Sequence, residues 1–220
     1  MKRVFILGAS QGIGFGLVKR YLEAGYAVVA SSRSGRIDHF AHERLQVVAL
    51  DLTQATQVAQ VASTLDQAGH RFELLINNAG IGPDLSQARP ERDSFAQTMA
   101  VNLEGIVFAT EALLPLLRPD GTLINVSSKM GSIAHCQHST SVAYRISKAG
   151  LNIYSKILSL RLTQKVATIH PGFVRTNISA FNDHAPLSPE DSAACIYDFE
   201  QSDFETGVYW DCQENVGLEW

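Results

Sequence analysis

Cysteine is scarce in this chain. There are three, Cys136, Cys195 and Cys212, in 220 residues. An odd number without C-x-x-C spacing excludes a disulfide framework and fits reduced thiols packed as small apolar side chains, as in a cytoplasmic protein. Runs of positive charge are missing too. Lysine and arginine are scattered, and the net charge of −4 offers no basic face for nucleic acid and no polybasic patch for a membrane surface. No segment approaches the ~18 uninterrupted apolar residues of a membrane span. The first apolar run, Val4–Leu7, is far too short for a signal peptide. Low-complexity linkers and internal repeats are absent. A cytoplasmic protein of one domain, residues 1–220, is the expectation.

What is present is the composition of a globular protein, with 45% hydrophobic and 18% charged residues. Val4–Leu7, bounded by Gly8, suits a strand buried on both faces. Apolar residues from Ile13 to Ala24 recur at helical spacing and stop at Gly25. Strands are predicted at 27–30, 45–50, 74–76, 122–126 and 166–169, with another at 208–210. Helices are predicted from Thr53 to about Ala68, across the long apolar-periodic stretch Ser94–Leu117, from about Val142 to Leu162, and from Pro189. This alternation implies an α/β chain with a doubly wound, Rossmann-like parallel sheet and helices on both faces. Right-handed crossovers then place ligands at the carboxyl ends of the strands.

Three stretches carry chemistry. Tyr144 and Lys148 stand four apart, so a helix presents phenol and ammonium on one face. A cation beside a phenol lowers its pKa from about 10 and makes it a usable proton donor or acceptor. Gly8-Ala9-Ser10-Gln11-Gly12-Ile13-Gly14 lies between the first strand and the first helix. Glycines there let the backbone approach a pyrophosphate at the helix N-terminus. The spacing is G-x-x-x-G-x-G rather than G-x-G-x-x-G. After the second strand comes Ser31-Ser32-Arg33, with no acid to hold a free ribose 2′-hydroxyl. Arg33 and its hydroxyl neighbours therefore favour NADP(H) over NAD(H), unless Arg33 is simply a solvated surface residue. Asp51, with Leu52 beside it, either accepts from the adenine amino group or caps the helix that begins near Thr53.

Gly8-x-x-x-Gly12-x-Gly14, Asn77-Asn78-Ala79-Gly80, Asn102, Ser127-Ser128, Tyr144-x-x-x-Lys148 and Pro171-Gly172 follow in the order found in the short-chain dehydrogenase/reductases. The chain resembles that family over about residues 3–180. Ser127–Ile133 and Tyr144–Asn152 are similar to the sniffer and C-factor type of carbonyl reductase. The resemblance implies that Tyr144 exchanges a proton with the substrate oxygen while hydride moves at carbon. It implies that Lys148 depresses the Tyr144 pKa and binds the nicotinamide ribose, and that Ser128 holds the substrate oxygen. Asn102 is implied to anchor a water that relays protons to Lys148; as a plain buried amide it would brace the long helix instead. Asn78, Ala79 and Gly80 are implied to line the adenosine and ribose side. Pro171, Gly172, Val174 and Thr176 are implied to wrap the nicotinamide, with Ser10, Gln11 and Ile13 completing the phosphate turn. Ser127 is the rival of Ser128, since consecutive strand residues point to opposite faces. Homodimers or homotetramers through the helices around Glu104 and Tyr144 are the family expectation.

Two departures matter. Sixteen positions separate Ser128 from Tyr144, a few more than usual, and the extra residues fall in His135–Ser141. A His-Cys-x-His pattern there has no carboxylate or second Cys pair with it to complete a metal site of defined geometry. The segment at about 177–190 is short for a lid, which suggests an open or shallow substrate pocket, with Phe173, Ile178, Phe181 and Tyr209 as wall candidates. The reading is therefore an NADP(H)-dependent oxidoreductase acting on a small carbonyl or alcohol, with an idle dinucleotide-binding signalling protein as the rival. A sugar-nucleotide epimerase would need a larger C-terminal domain than the roughly 40 residues after Thr176 allow.

Overall fold

The run Val4–Leu7 is fully buried and forms most of strand β1 (Arg3–Leu7), which lies at the centre of the sheet. The structure, a computed structural model, describes all residues 1–220. Helix α1 (Gly12–Glu23) follows and ends before Gly25, whose φ of +87° makes the turn into β2 (Ala27–Ser32). Next come β3 (Leu45–Ala49), α2 (Ala55–Gln67), β4 (Phe72–Asn77), α3 (Arg92–Met99), α4 (Ile106–Leu113) and β5 (Leu117–Val126). The chain closes with α5 (Val142–Arg161), β6 (Lys165–His170), α6 (Pro189–Glu200), β7 (Val208–Asp211) and the two-residue β8 (Val216–Gly217). Ser188 starts α6 with a reciprocal capping box to Asp191.

The sheet order is β3-β2-β1-β4-β5-β6-β7-β8, parallel except for β8. The order reverses between β1 and β4, and that switch opens a crevice at their carboxyl ends. One core lies on the α1 and α6 side, around Leu17, Tyr21 and Ile196. The other lies on the side of α2, α4 and α5, around Leu65, Leu113 and Leu158. This is the expected doubly wound α/β architecture.

The details differ from the sequence reading in two places. The periodic stretch expected at Ser94–Leu117 is not one regular helix, because Ala100–Gly105 winds as a π-helix between α3 and α4. Gly105 sits so close to Leu52 that a Cβ there would lie 2.8 Å from the Leu52 carbonyl oxygen. The stretch Arg92–Leu116 is long and apolar enough by length and composition to cross a membrane, yet Ile106, Ala109 and Leu113 are buried against the sheet. The short β8 was not foreseen, being too brief to show a period.

A chain of buried polar groups joins the elements just below the crevice. Asn77 Nδ2 donates to Thr110 Oγ1 at 2.7 Å and to Asn125 Oδ1 at 2.6 Å. Asn125 Nδ2 in turn donates to Ser155 Oγ at 2.8 Å. Low dielectric strengthens such bonds, so the chain fixes β4, β5, α4 and α5 relative to one another.

Candidate active site

The crevice is an open cleft of about 510 Å³. Its walls include Gly8, Ser10, Gln11, Gly12 and Ile13 from the glycine turn, Ser31–Arg33 from the end of β2, and Asp51 and Leu52 after β3. Asn78, Ala79 and Gly80 line it after β4, and Thr176 closes the far side. The glycines are required by contact. Gly8, at φ +76°, would place a Cβ 2.5 Å from Ala79 Cα, and Gly14 would place one 2.1 Å from the Gly8 carbonyl oxygen. Gly14 therefore does not line the cleft but lets α1 pack against the turn, while Asn78 Nδ2 donates to Gly8 O at 2.6 Å. Gly12 faces Thr176, and Asn177 Nδ2 donates to Gln11 Oε1 across the opening.

No side chain caps α1 and no acid stands in its first turn. Its leading N–H groups are left for an anion, with the helix dipole favouring negative charge. With the backbone approach that Gly8 and Gly14 permit, these residues fit the pyrophosphate of a dinucleotide. Arg33 is exposed at the lip. Asp51 Oδ1 accepts from both the amide and the hydroxyl of Thr53, at 2.9 and 2.8 Å. Those bonds, with Arg33 nearby, hold its carboxyl below the usual range. Asp51 thus caps the turn leading into α2 and lines the cleft at the same time.

At the inner end, Gly80 leads to the chemistry. A Cβ there would lie 3.5 Å from Lys148 Nζ and 3.6 Å from Asn102 Oδ1. Asn102 sits fully buried in the π-helix. Its amide accepts from Ile81 N and donates to Ile81 O, both at 2.8 Å, and donates to Ser147 Oγ at 3.2 Å. The side chain thus does the bracing considered from sequence, tying the long helix to the turn after β4. An extra residue in that helical turn is what swings it there.

Tyr144 and Lys148 share one buried face of α5, with Nζ 5.7 Å from the centre of the phenol ring. Lys148 Nζ donates to the Val126 carbonyl at 3.0 Å. Burial lowers the Lys148 pKa to about 8. Burial also pushes the Tyr144 phenol up to about 12, and the carboxylate of Asp84 adds to the rise. The expected lowering by Lys148 is not found, because desolvation of the phenolate outweighs a cation turned towards a backbone carbonyl. The group that favours the phenolate is Ser128, which faces the phenol closely enough to draw its pKa back down. Ser127 points the other way, donating to Asn152 Oδ1 at 2.5 Å.

Sequence reasoning missed Asp84. It is fully buried, and its Oδ2 accepts from Ala143 N at 2.8 Å and Tyr144 N at 3.4 Å, while Oδ1 has no partner. It caps α5 from 59 residues away, where the adjacent Ser141 lies in the left-handed region at φ +62° and gives no side-chain cap. A lone acid in a Gly-Pro loop gives no local signal of this.

Of the residues expected to wrap the nicotinamide, Thr176 lines the cleft, with Asn177 and Ile178 beside it, whereas Pro171, Gly172 and Val174 do not. Pro171 O accepts from Ser192 Oγ at 2.8 Å, and Gly172, at φ +88°, packs on Leu187 and Gln213. Val174 O accepts from Asn182 Nδ2 at 2.9 Å. Phe173 and Phe181 contact each other at 5.5 Å, whereas Tyr209 is buried behind Ser128 rather than lining a pocket wall.

Residues 2–186 match the model of the short chain dehydrogenase family. The chain is a short-chain dehydrogenase/reductase. Its relatives carry the names of oxidoreductases and dehydrogenases, and the family interconverts CH–OH and C=O groups with NAD(P). A carbonyl reductase from Pseudomonas aeruginosa PAO1 is 32% identical, with a TM-score of 0.83 and 100% of both chains covered. A short-chain dehydrogenase/reductase from Burkholderia multivorans with bound NADP is 28% identical, with a TM-score of 0.87 over 100% of this chain and 99% of that one. Estradiol 17-beta-dehydrogenase 2 of Mus musculus is 32% identical over all of this chain, which spans only 57% of that relative's length. The resemblance to carbonyl reductases thus extends to the whole fold.

Proposed function

We propose that this short-chain dehydrogenase/reductase is an NADP(H)-dependent carbonyl reductase in which Tyr144 is the general acid/base. The observation that carries the reading is the buried Tyr144–Lys148 face of α5, which reaches the cleft at Gly80, where an added Cβ would lie 3.5 Å from Lys148 Nζ. The glycine turn and the α1 N-terminus would hold the pyrophosphate, Arg33 the ribose 2′-phosphate, Lys148 the nicotinamide ribose, and the 171–176 loop the nicotinamide. When bound, the nicotinamide supplies or accepts the hydride.

The chain's own groups handle the oxygen. With a pKa near 12, the Tyr144 phenol is protonated at neutral pH and can donate to a carbonyl oxygen as negative charge develops on it. Ser128 Oγ accepts an N–H from Met130 at 3.2 Å, and its own hydrogen, which faces the Tyr144 oxygen, can turn to the substrate oxygen that would bind between them. Lys148 is charged below about pH 8 and, anchored on the Val126 carbonyl, would serve the nicotinamide ribose, leaving Ser128 as the group that favours the phenolate. Reduction is therefore the direction favoured near neutrality, and alcohol oxidation should rise with pH as phenolate forms.

The decisive experiment offers purified enzyme and NADPH to a panel of ketones and aldehydes and follows absorbance at the nicotinamide band. Oxidation of NADPH is expected with the wild type, and a loss of about 10³-fold or more with Tyr144→Phe, the scale of a proton donor plus its share of oxyanion stabilisation. Tight NADPH binding without turnover of any carbonyl would establish the idle-binder reading. Full activity in Tyr144→Phe would remove the phenol from the mechanism.

A second copy of the chain is proposed to cover the outer faces of α4 and α5. Phe108, Ile146, Ile153, Ile157 and Leu160 are exposed there, a large apolar face for a free surface. Light scattering should give at least a dimer for the wild type and a monomer for Ile153→Glu/Ile157→Glu; a monomeric wild type overturns it.

A further inference from the structure

Ser128 carries its hydroxyl at the end of β5, and nothing in β5 itself fixes that residue's peptide. Two donors meet its carbonyl oxygen instead. Gly131 N donates at 2.7 Å, closing a short turn, and the Tyr209 hydroxyl donates at 2.6 Å from β7. Tyr209 lies two strands away, is almost fully buried, and keeps its proton because burial raises its pKa. The turn it meets is packed backbone to backbone on α5: a Cβ on Gly131 would lie 2.7 Å from the Lys148 carbonyl carbon.

Tyr209 is itself held. The ring of Trp220 stacks on it, with centres 5.1 Å apart and planes 26° from parallel. Leu218 N donates to Tyr209 O at 2.7 Å, so the segment after β8 runs back along β7. The same segment is stitched to the loop beyond Ser128. Ser132 Oγ donates to Glu219 O at 2.7 Å, and Ala134 N donates to Trp220 O at 3.3 Å. Ser128, Tyr209 and Trp220 thus form a closed circuit: carbonyl to phenol, phenol ring to indole, indole backbone to the loop that follows Ser128.

We propose that Tyr209, with Trp220 stacked on it and residues 216–220 tied to the 129–135 loop, is a positioning residue that locks the Ser128 peptide and so aims the Ser128 hydroxyl at the substrate oxygen. Holding a carbonyl by two donors fixes the peptide plane, and with it the direction of the Cα–Cβ bond. A catalytic donor works at full strength only when it is fixed before charge develops, since reorganising it during the reaction costs rate. The inference rests on the carbonyl-reductase reading for its kinetic consequence, not for the geometry.

The test is Tyr209→Phe, which keeps the ring and the stack and removes only the donor. Carbonyl reduction should fall about tenfold in kcat, less than the 10²-fold or more that losing an oxyanion donor itself costs. NADPH affinity should stay at the wild-type value. The pH profile of alcohol oxidation should move upward, in the same direction as in Ser128→Ala, since Ser128 is the group that favours the phenolate. Amide exchange at Met130 and Gly131 should speed up. Trp220→Ala should produce the same set of changes more weakly, and Trp220→Phe should restore them. Wild-type kcat, profile and exchange in Tyr209→Phe would overturn the proposal. So would a general loss of thermal stability and cofactor affinity with the pH profile unmoved, which marks a merely structural residue. If the wild type reduces no carbonyl, the functional reading fails on its own, and exchange at residues 130–131 still decides the lock: unchanged protection there overturns it.

Discussion

The two halves of the site are built by opposite means. On the dinucleotide side the decisive contacts are made by missing side chains: Gly8 against Ala79, Gly14 against the Gly8 carbonyl, Gly80 beside Lys148. On the substrate side they are made by single polar side chains reaching across the fold, with Asp84 on the start of α5 and Tyr209 on Ser128. At Gly8 and Gly14 the first half tolerates no added atom. The second tolerates other residues wherever one acceptor or donor remains. One half should therefore fail in folding and binding when changed, and the other should fail only in rate or pH dependence.

Gly14→Ala should break the first half most severely. An added methyl 2.1 Å from the Gly8 carbonyl oxygen and 2.5 Å from Asn78 Nδ2 cannot be absorbed by a rotamer change. A loss of about 3 kcal/mol or more in unfolding free energy is expected, the upper range of overpacking, together with loss of NADPH binding. Denaturant unfolding reads the first and fluorescence titration the second. A variant with wild-type stability would mean that the turn yields, and the contrast between the halves would collapse.

Arg33→Ala sharpens the contrast from within the same half. Arg33 is exposed and packs against nothing in the core, so stability should be unchanged. NADPH affinity should fall about 10- to 100-fold, the worth of a charge-assisted bond to the 2′-phosphate, while NADH affinity holds. Equal losses for both cofactors would show that Arg33 makes no such contact. Shape in this half comes from glycine, and cofactor choice comes from one side chain on its lip.

This division also explains what was legible in the sequence. Glycine at a forced contact, as at Gly8 and Gly14, or at a positive φ, as at Gly12, has no ready substitute, so all three stand out in the bare sequence, and so does a β-α alternation set by burial period. Strand ends are less legible: β5 begins at Leu117, ahead of Pro119, five residues before its apolar run. The π-helix carrying Asn102 was hidden because one extra residue in a turn leaves the apolar pattern nearly unchanged. The direction of the Tyr144 pKa was misread because burial belongs to the folded chain. Lys148 is four residues away in any helix, but whether its ammonium faces the phenol or the Val126 carbonyl is settled by β5. Asp84 and Tyr209 act at separations of 59 and 81 residues, through groups that any acid or phenol could offer.

Asp84→Asn gives the smallest effect and the cleanest test of the second half. The amide oxygen can still accept from Ala143 N, so the cap on α5 survives. What disappears is a buried negative charge near the Tyr144 phenol, one of the causes that push its pKa up to about 12. The sign follows directly. Removing a like charge favours the phenolate, so the Tyr144 pKa falls, and more phenolate is present at any pH below it. Alcohol oxidation at about pH 9 should therefore rise about threefold, the modest size of one screened charge at a few ångströms beyond contact. Carbonyl reduction at about pH 6.5 should not change, because the phenol is fully protonated in both proteins. NADPH affinity should not change either, since Asp84 is fully buried and its contact to the start of α5 survives. An oxidation profile that stays in place, or moves upward, would mean that Asp84 governs only the helix start and leaves the charge on Tyr144 to Ser128 and burial alone.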